Sequence, residues 1–122
     1  MALLHILEFP DPRLRTVAKQ LTEVDDGLRR LIDDMFETME KNEGLGLAGV
    51  QVGVLRRVLV LDLPNGEPPA KGTDWPSNPI AMINPKILKR SAQMKVQEEG
   101  CLSMPEVRID IERPMLRAAN ID

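Results

Sequence analysis

The chain has no tyrosine, and two phenylalanines and one tryptophan hold aromatic content to 2% of 122 residues. Stacking platforms for single-stranded nucleic acid are therefore effectively missing, and the core has to be built from Leu, Ile, Val and Met. A single cysteine, Cys101, excludes an internal disulfide, which makes a reducing cytosol the simplest compartment. The only histidine, His5, lies in an apolar N-terminal run and reads as surface or local packing. No window approaches the roughly 20 apolar residues of a membrane span. Met1 to Pro10 also lacks the basic flank and cleavage site of a signal peptide. The formal charge is −3 with acids and bases interspersed, so there is no basic footprint for nucleic acid.

What is present is ordinary globular material. Hydrophobic residues make up 43% and charged residues 29%, and the length suits one domain over 1–122 rather than two. Asp11 then Pro12 reads as a cap and first position of a short turn. The strongest periodicity follows, with Leu28, Leu31, Ile32, Met35, Phe36 and Met39 recurring at three- and four-residue steps behind Asp25 and Asp26. Asp33, Asp34, Glu37 and Glu40 fall largely off that stripe. The pattern predicts an amphipathic helix ending near Asn42, with Gly44 as its C-cap. Arg57 to Leu63 predicts a buried strand, and Ile80 to Asn84 another short strand stopped by Pro85. Gln93 to Gln97, Val107 to Ile111 and Met115 to Ile121 predict further short ones. Pro64 to Pro79 holds five prolines and reads as a long surface loop anchored by Trp75. The fold class expected is α+β: a mainly antiparallel sheet packed on one long amphipathic helix.

Two segments carry chemistry. Gly44-Leu45-Gly46-Leu47-Ala48-Gly49-Val50-Gln51-Val52-Gly53 lets another backbone approach closely and sets one amide, Gln51, beside it. As local structure it reads as a helix end running into a glycine-rich turn. A phosphate cradle is the weaker reading, for want of Gly-Lys-Ser/Thr and a preceding strand. In Glu98-Glu99-Gly100-Cys101-Leu102-Ser103-Met104-Pro105, the cysteine sits between Gly100 and a Pro-punctuated turn, which suggests an exposed bend. A thiolate there is a candidate metal ligand or nucleophile. A Cys–His nucleophile has only His5 to draw on, and a catalytic metal site usually takes three protein ligands.

Read together, the two segments resemble the peptide deformylases. That family carries Gly-φ-Gly-Leu-Ala-x-x-Gln, with φ apolar, then Glu-Gly-Cys-Leu-Ser, then His-Glu-x-x-His on a C-terminal helix. Gly44 to Gln51 and Glu99 to Ser103 match the first two. Phe9 to Arg15 with Val17-Ala18, Asp33 to Met39, and Ile83-Asn84-Pro85 are also similar to the family, in its order. Gly49-Val50 departs from the commoner Ala-Ala, Ala-Pro or Ala-Thr, and the 64–79 loop is longer than in minimal members. The chain stops at Asn120-Ile121-Asp122, where the family continues into its histidine helix.

The resemblance implies a metal-dependent hydrolase removing the formyl group from the N-terminal methionine of nascent peptides, with transient ribosome contact. It implies one divalent metal, iron(II) natively with zinc, nickel or cobalt accepted, ligated by Cys101 together with the two histidines of the third motif. Gln51 and the backbone N–H of Leu102 would donate to the oxyanion, each such donor typically worth on the order of 3–4 kcal/mol. Gly44, Leu45 and Gly46 would pair with the peptide, with Gly100 opposite and Arg108 further along. Arg113 would pair with Glu99 and brace the metal loop. With two ligands and the general base outside these 122 residues, the resemblance predicts an inactive fragment with an incomplete metal site. The alternatives are a non-catalytic formyl-peptide-binding remnant and a chain completed by a partner in trans. Without the last helix, the stripe from Leu28 to Met39 is expected to lack a covering element, giving dimerisation or partial exposure.

Overall fold

Asp25 begins the helix that organises the rest. Its carboxylate accepts from Leu28 N–H at 2.8 Å, satisfying one of the donors a helix start leaves open. Helix α1 runs Asp26–Lys41. The computed structural model describes the backbone of residues 2–62, 79–114 and 117–120, and the side chains of these except 97–98, 106–112, 114 and 117–120. The anchor expected at Trp75 and nearly all of the 64–79 loop lie outside the described residues.

The helix end differs from expectation. Glu43 takes the left-handed backbone, φ 55°. Its N–H reaches Glu40 O at 3.1 Å, and Gly44 N–H reaches Met39 O at 2.9 Å. This is a Schellman ending with glutamate at the position glycine favours, and Gly44 stands one residue further on. A left-handed L-residue costs roughly 1–2 kcal/mol. Glu43→Gly is therefore expected to stabilise the domain by about 1 kcal/mol, readable as a rise in the chemical-denaturation midpoint at unchanged slope. Gly44 is small for another reason. A Cβ there would lie 2.7 Å from Leu102 Cδ1 and 3.4 Å from Met39 Cγ.

Two other antiparallel ladders accompany the sheet that meets α1. That sheet has the order β1 (Gly46–Ala48), β2 (Val58–Asp62), β3 (Pro79–Ile83). Leu47 faces Val60, and Val60 faces Ala81. Strand β4 (Lys86–Arg90) pairs with β7 (Arg117–Asn120), and β5 (Met94–Cys101) pairs with β6 (Met104–Pro114). The α+β antiparallel architecture is thus present, divided into three ladders. Strand β4 is fully exposed and had no alternation to betray it. Strands β5 and β6 extend well beyond the segments whose patterning predicts them.

The inner half of the helix stripe has a cover that the sequence reading did not expect, and the outer half stays partly exposed, as it did expect. Leu28, Met35 and Met39 are buried with Leu47, Val58 and Val60, and Leu31, Ile32 and Phe36 pack half-buried around them. Strands β1 and β2, with Leu4 and Ile6 of the N-terminal arm, supply the cover. Glu37 also departs from the predicted polar face, since its Oε2 is buried with no hydrogen-bond partner among the described residues. Among the described residues, exposed apolar side chains lie on β4 (Ile87, Leu88) and β5 (Met94, Val96), and singly elsewhere, as at Phe9, Val17 and Val24.

Two polar side chains knit the chain across long sequence distances. Asn84, left-handed at φ 53°, accepts from Leu21 N–H at 2.7 Å and donates to Leu21 O at 2.8 Å. It thereby imitates a strand partner. Thr38, fully enclosed, accepts from Leu4 N–H at 2.9 Å and donates to Asp34 O at 2.7 Å. The short turn Pro12–Arg15 is capped by Asp11 as its sequence suggests. The Arg13 guanidinium holds the Asp11 carboxyl down at about 2.

Candidate active site

Gln51 is oriented by its own turn. It occupies the third position of the 3-10 turn Gly49–Val52, from which a side chain can reach back to the first free N–H. Ala48 N–H donates to Gln51 Oε1 at 2.9 Å. With the carbonyl end committed, Nε2 must face the other way. It donates to Ser103 Oγ at 3.2 Å and to Cys101 Sγ at 3.6 Å. Three partners fix which end of the amide is which.

The thiol comes from a hairpin tip. Strands β5 and β6 close through Leu102 and Ser103, and the register shifts between Gly100 and Cys101, a bulge that re-aims the side chain. Cys101 is exposed, while Ser103 is buried at 3%. Leu102 packs half-buried against the core cluster, entering the space Gly44 leaves open. The tip is thus pinned on one side by Leu102 and on the other by Gln51.

Strand β1 lies beside them. Asp62 N–H donates to Leu45 O at 3.0 Å, so that carbonyl already serves β2. Alternation along the strand turns the amide groups of Gly46 and Ala48 to the opposite side, where Ala48 N–H meets Gln51. Among the described residues no strand pairs with that edge. A Cβ on Gly46 would find ordinary room, 3.5 Å from Val60 O. Packing therefore does not demand glycine at 46, unlike at Gly44; its bare backbone simply leaves the edge clear.

Other expected residues fall as follows. Arg113 donates to both carboxylate oxygens of Glu99, each at 3.2 Å, bracing β5 against β6 two residues before the thiol. Gly100 is exposed and pairs with Arg108; the Arg108 side chain lies outside the described residues. His5 is exposed. Two contributors escaped the sequence reading. Ser103 receives the Gln51 amide, and the N-terminal arm bonds to both motif segments through Leu7 and Phe9. Nothing in the spacing of those arm residues marks them. A cavity of about 550 Å³ bordered by Lys19, Glu23, Asp25, Leu28 and Arg56 includes none of the expected site residues.

A divalent metal can be tested against this donor set. Cys101 suits the place of one ligand, being exposed and bulge-directed. The N–H aimed at its sulfur complements the negative charge of a bound thiolate. Among the described residues, no group of three or more His, Cys, Asp or Glu side chains could hold the ion. These residues therefore fit one corner of a metal site and do not complete it.

Fold and site together define a class: an antiparallel α+β domain in which an open glycine-bearing edge, a fixed carboxamide and an exposed thiol converge. A sequence model of the polypeptide deformylases matches residues 3–116, and the chain belongs to that family. It is 48% identical to a peptide deformylase of Zymomonas mobilis over 114 residues, 93% of this chain and 63% of that protein's length. It thus spans somewhat less than two thirds of that relative. Among solved structures it is similar to a peptide deformylase of Ehrlichia chaffeensis in complex with actinonin, with TM-score 0.87 and 42% identity over 99% of this chain and 69% of that one. It is also similar to a Met-Ala-Ser-bound class I type b enzyme of Acinetobacter baumannii, with TM-score 0.80 and 28% identity over 98% and 84%.

Proposed function

We propose that this chain is the peptide-binding and oxyanion-stabilising part of a metal-dependent hydrolase that removes the formyl group from the N-terminal methionine of newly made proteins. The observation that carries the reading is the Gln51 amide, clamped by Ala48 N–H so that its donor end meets Cys101 Sγ at 3.6 Å. The Met-Ala-Ser and actinonin bound to related enzymes support a peptide-like ligand beside this carboxamide. Nascent chains at the ribosome, met transiently in the cytoplasm, are the substrates.

An extended peptide adds to the open edge of β1, where Gly46 presents backbone groups and no side chain. Gly44 acts from below by seating Leu102, Gly100 borders the opposite side, and Arg108 reaches the peptide further along. The formyl oxygen then lies between Gln51 Nε2 and the backbone N–H of Leu102. Both donors are held before reaction begins, which is the condition for stabilising developing negative charge. Cys101 offers one sulfur ligand, and the Glu99–Arg113 pair stiffens the strand that carries it. When bound, a divalent ion, iron(II) or zinc, nickel or cobalt in its place, supplies a Lewis acid and a water acidic enough to attack at neutral pH.

Three protein ligands are the usual minimum for such an ion, and Cys101 is one. The 122 residues by themselves are therefore expected to release no formate from an N-formylmethionyl peptide above the rate with metal ion alone. A coupled formate assay with iron(II), cobalt, nickel and zinc checks this, and appreciable turnover would overturn the ligand count. A second reading, a formyl-peptide-binding remnant without chemistry, rests on the assembled edge and carboxamide alone and is marked by saturable binding in the presence of a chelator.

A further inference from the structure

The N-terminal arm belongs to no helix or strand, and four of its N–H groups are bonded to other segments. Ala2 N–H donates to Asp34 Oδ1 at 2.7 Å and Leu4 N–H to Thr38 Oγ1 at 2.9 Å, both on α1. Leu7 N–H then donates to Gln51 O at 2.7 Å, and Phe9 N–H to Ser103 O at 2.8 Å. The arm leaves the helix and crosses both site segments, touching each with one bond.

Residues two apart on an extended chain present their N–H groups on the same edge, roughly 7 Å apart. Leu7 and Phe9 therefore act as a ruler laid across Gln51 and Ser103. Those two residues have no backbone bond to each other among the described residues; their direct tie is Gln51 Nε2 to Ser103 Oγ at 3.2 Å. That tie belongs to the same amide that must meet Cys101. The clamp from Ala48 N–H orients the amide within its own turn, but the distance from that turn to the hairpin tip has to be set by the backbones of the two segments. The arm supplies the missing rigid link, and Leu7, 5% exposed, anchors it. A slip of one residue would turn both N–H groups to the other side, so the arm's register is set as well as its position.

We infer that Leu7 to Phe9 form a positioning strap that sets the separation between the Gln51 amide and the Cys101 thiol. This rests on the reading of Gln51 and Cys101 as one site, but the test below does not depend on turnover. Both act on the site through backbone N–H groups, and the buried Leu7 side chain holds the arm in place.

The test is NMR on the 122-residue chain, reading the NOE between the Gln51 side-chain amide protons and the Cys101 β-protons. Leu7→Ala is expected to remove that NOE while the Met35 and Val60 methyl shifts stay native, and Leu7→Ile to restore it. Phe9→Pro, which deletes the N–H but also removes the exposed ring and fixes φ at 9, is expected to remove it as well, whereas Phe9→Ala, which loses the ring and keeps the N–H, is expected to retain it. Thr38→Val, which frees the arm at Leu4 far from the site, is expected to leave it intact. Persistence of the NOE in both Leu7→Ala and Phe9→Pro would overturn the strap. Should either variant unfold, carboxamidomethylation of Cys101 in the unaltered chain decides the matter. It is expected to move the amide resonances of Leu7 and Phe9 but not those of Ala2 and Leu4, and unmoved resonances at 7 and 9 would overturn it. A failed formate or peptide-binding experiment with the NOE pattern as expected would instead count against the functional reading alone.

Discussion

Met35→Ala is expected to cost about 3–5 kcal/mol of folding stability, the upper part of the range for truncating a buried methionine. Met35 is 0% exposed and sits mid-helix among Leu28, Met39, Leu47, Val58 and Val60. Its neighbours cannot collapse into the space easily. On one side they belong to a helix capped at Asp25 and closed at Glu43; on the other they belong to the hydrogen-bonded pair β1–β2. A domain of this size has roughly 5–15 kcal/mol in total, so the variant should melt at least about 10 °C lower. Met35→Leu keeps most of the volume and is expected to cost under about 1.5 kcal/mol. Thermal melts of the two variants side by side separate lost volume from lost methionine. Equal melting points would contradict the packing described.

Gly49→Ala is expected to cost about 2–3 kcal/mol by overpacking. A Cβ at 49 would stand 2.9 Å from Val54 O, 3.0 Å from Arg56 O and 3.1 Å from Val58 Cγ1. Two of those are backbone atoms, so no rotamer change relieves them. The loop after Gly53 has settled directly on Gly49, and Val54 N–H bonds to Gly49 O at 3.0 Å. This accounts for the chain's departure from the alanine commoner at this position in deformylases. Restoring that alanine should harm this chain, because the loop would have to lift. Gly44→Ala meets only the flexible end of Leu102 at its closest point, and its penalty is expected to be smaller. Denaturant titration of both variants tests the order, and Gly44→Ala proving the more damaging would contradict it.

Helix α1 was legible almost to the residue, because period and caps agree: an apolar stripe, Asp25 before it and a left-handed residue after it. The detail that failed was local. Gly44 looked like the left-handed position, yet packing against Leu102 claims it and Glu43 carries the strained backbone instead. Strands β2 and β3 were legible from aliphatic runs that end at charged or proline residues. Strand β4 was not, because all five of its side chains face solvent and hydrophobic alternation has nothing to report. The covered half of the helix stripe was also misjudged. Counting absent elements overlooked the arm, whose Leu4 and Ile6 close the core edge without any secondary structure of their own. At the candidate site, Gln51 and Cys101 could be singled out from their motifs, and Arg113 with Glu99 from the family resemblance. Ser103 stood inside the second motif, but nothing in the spacing paired its hydroxyl with Gln51; Leu7 and Phe9 could not be named at all, since a backbone N–H is the same at every residue but proline and leaves no trace in side-chain pattern.

Mapping an N-formylmethionyl tripeptide onto the isotopically labelled 122-residue chain by NMR, with and without cobalt, tests the site most directly. Saturable shifts are expected at Gly46 to Ala48, at the Gln51 side-chain amide and at Gly100 to Leu102, with the arm amides of Leu7 and Phe9 responding weakly. Shifts gathered instead around Lys19, Asp25 and Arg56 at the separate cavity, or no saturable response at either place, would contradict the assignment of Gln51, Cys101 and the β1 edge as the peptide site.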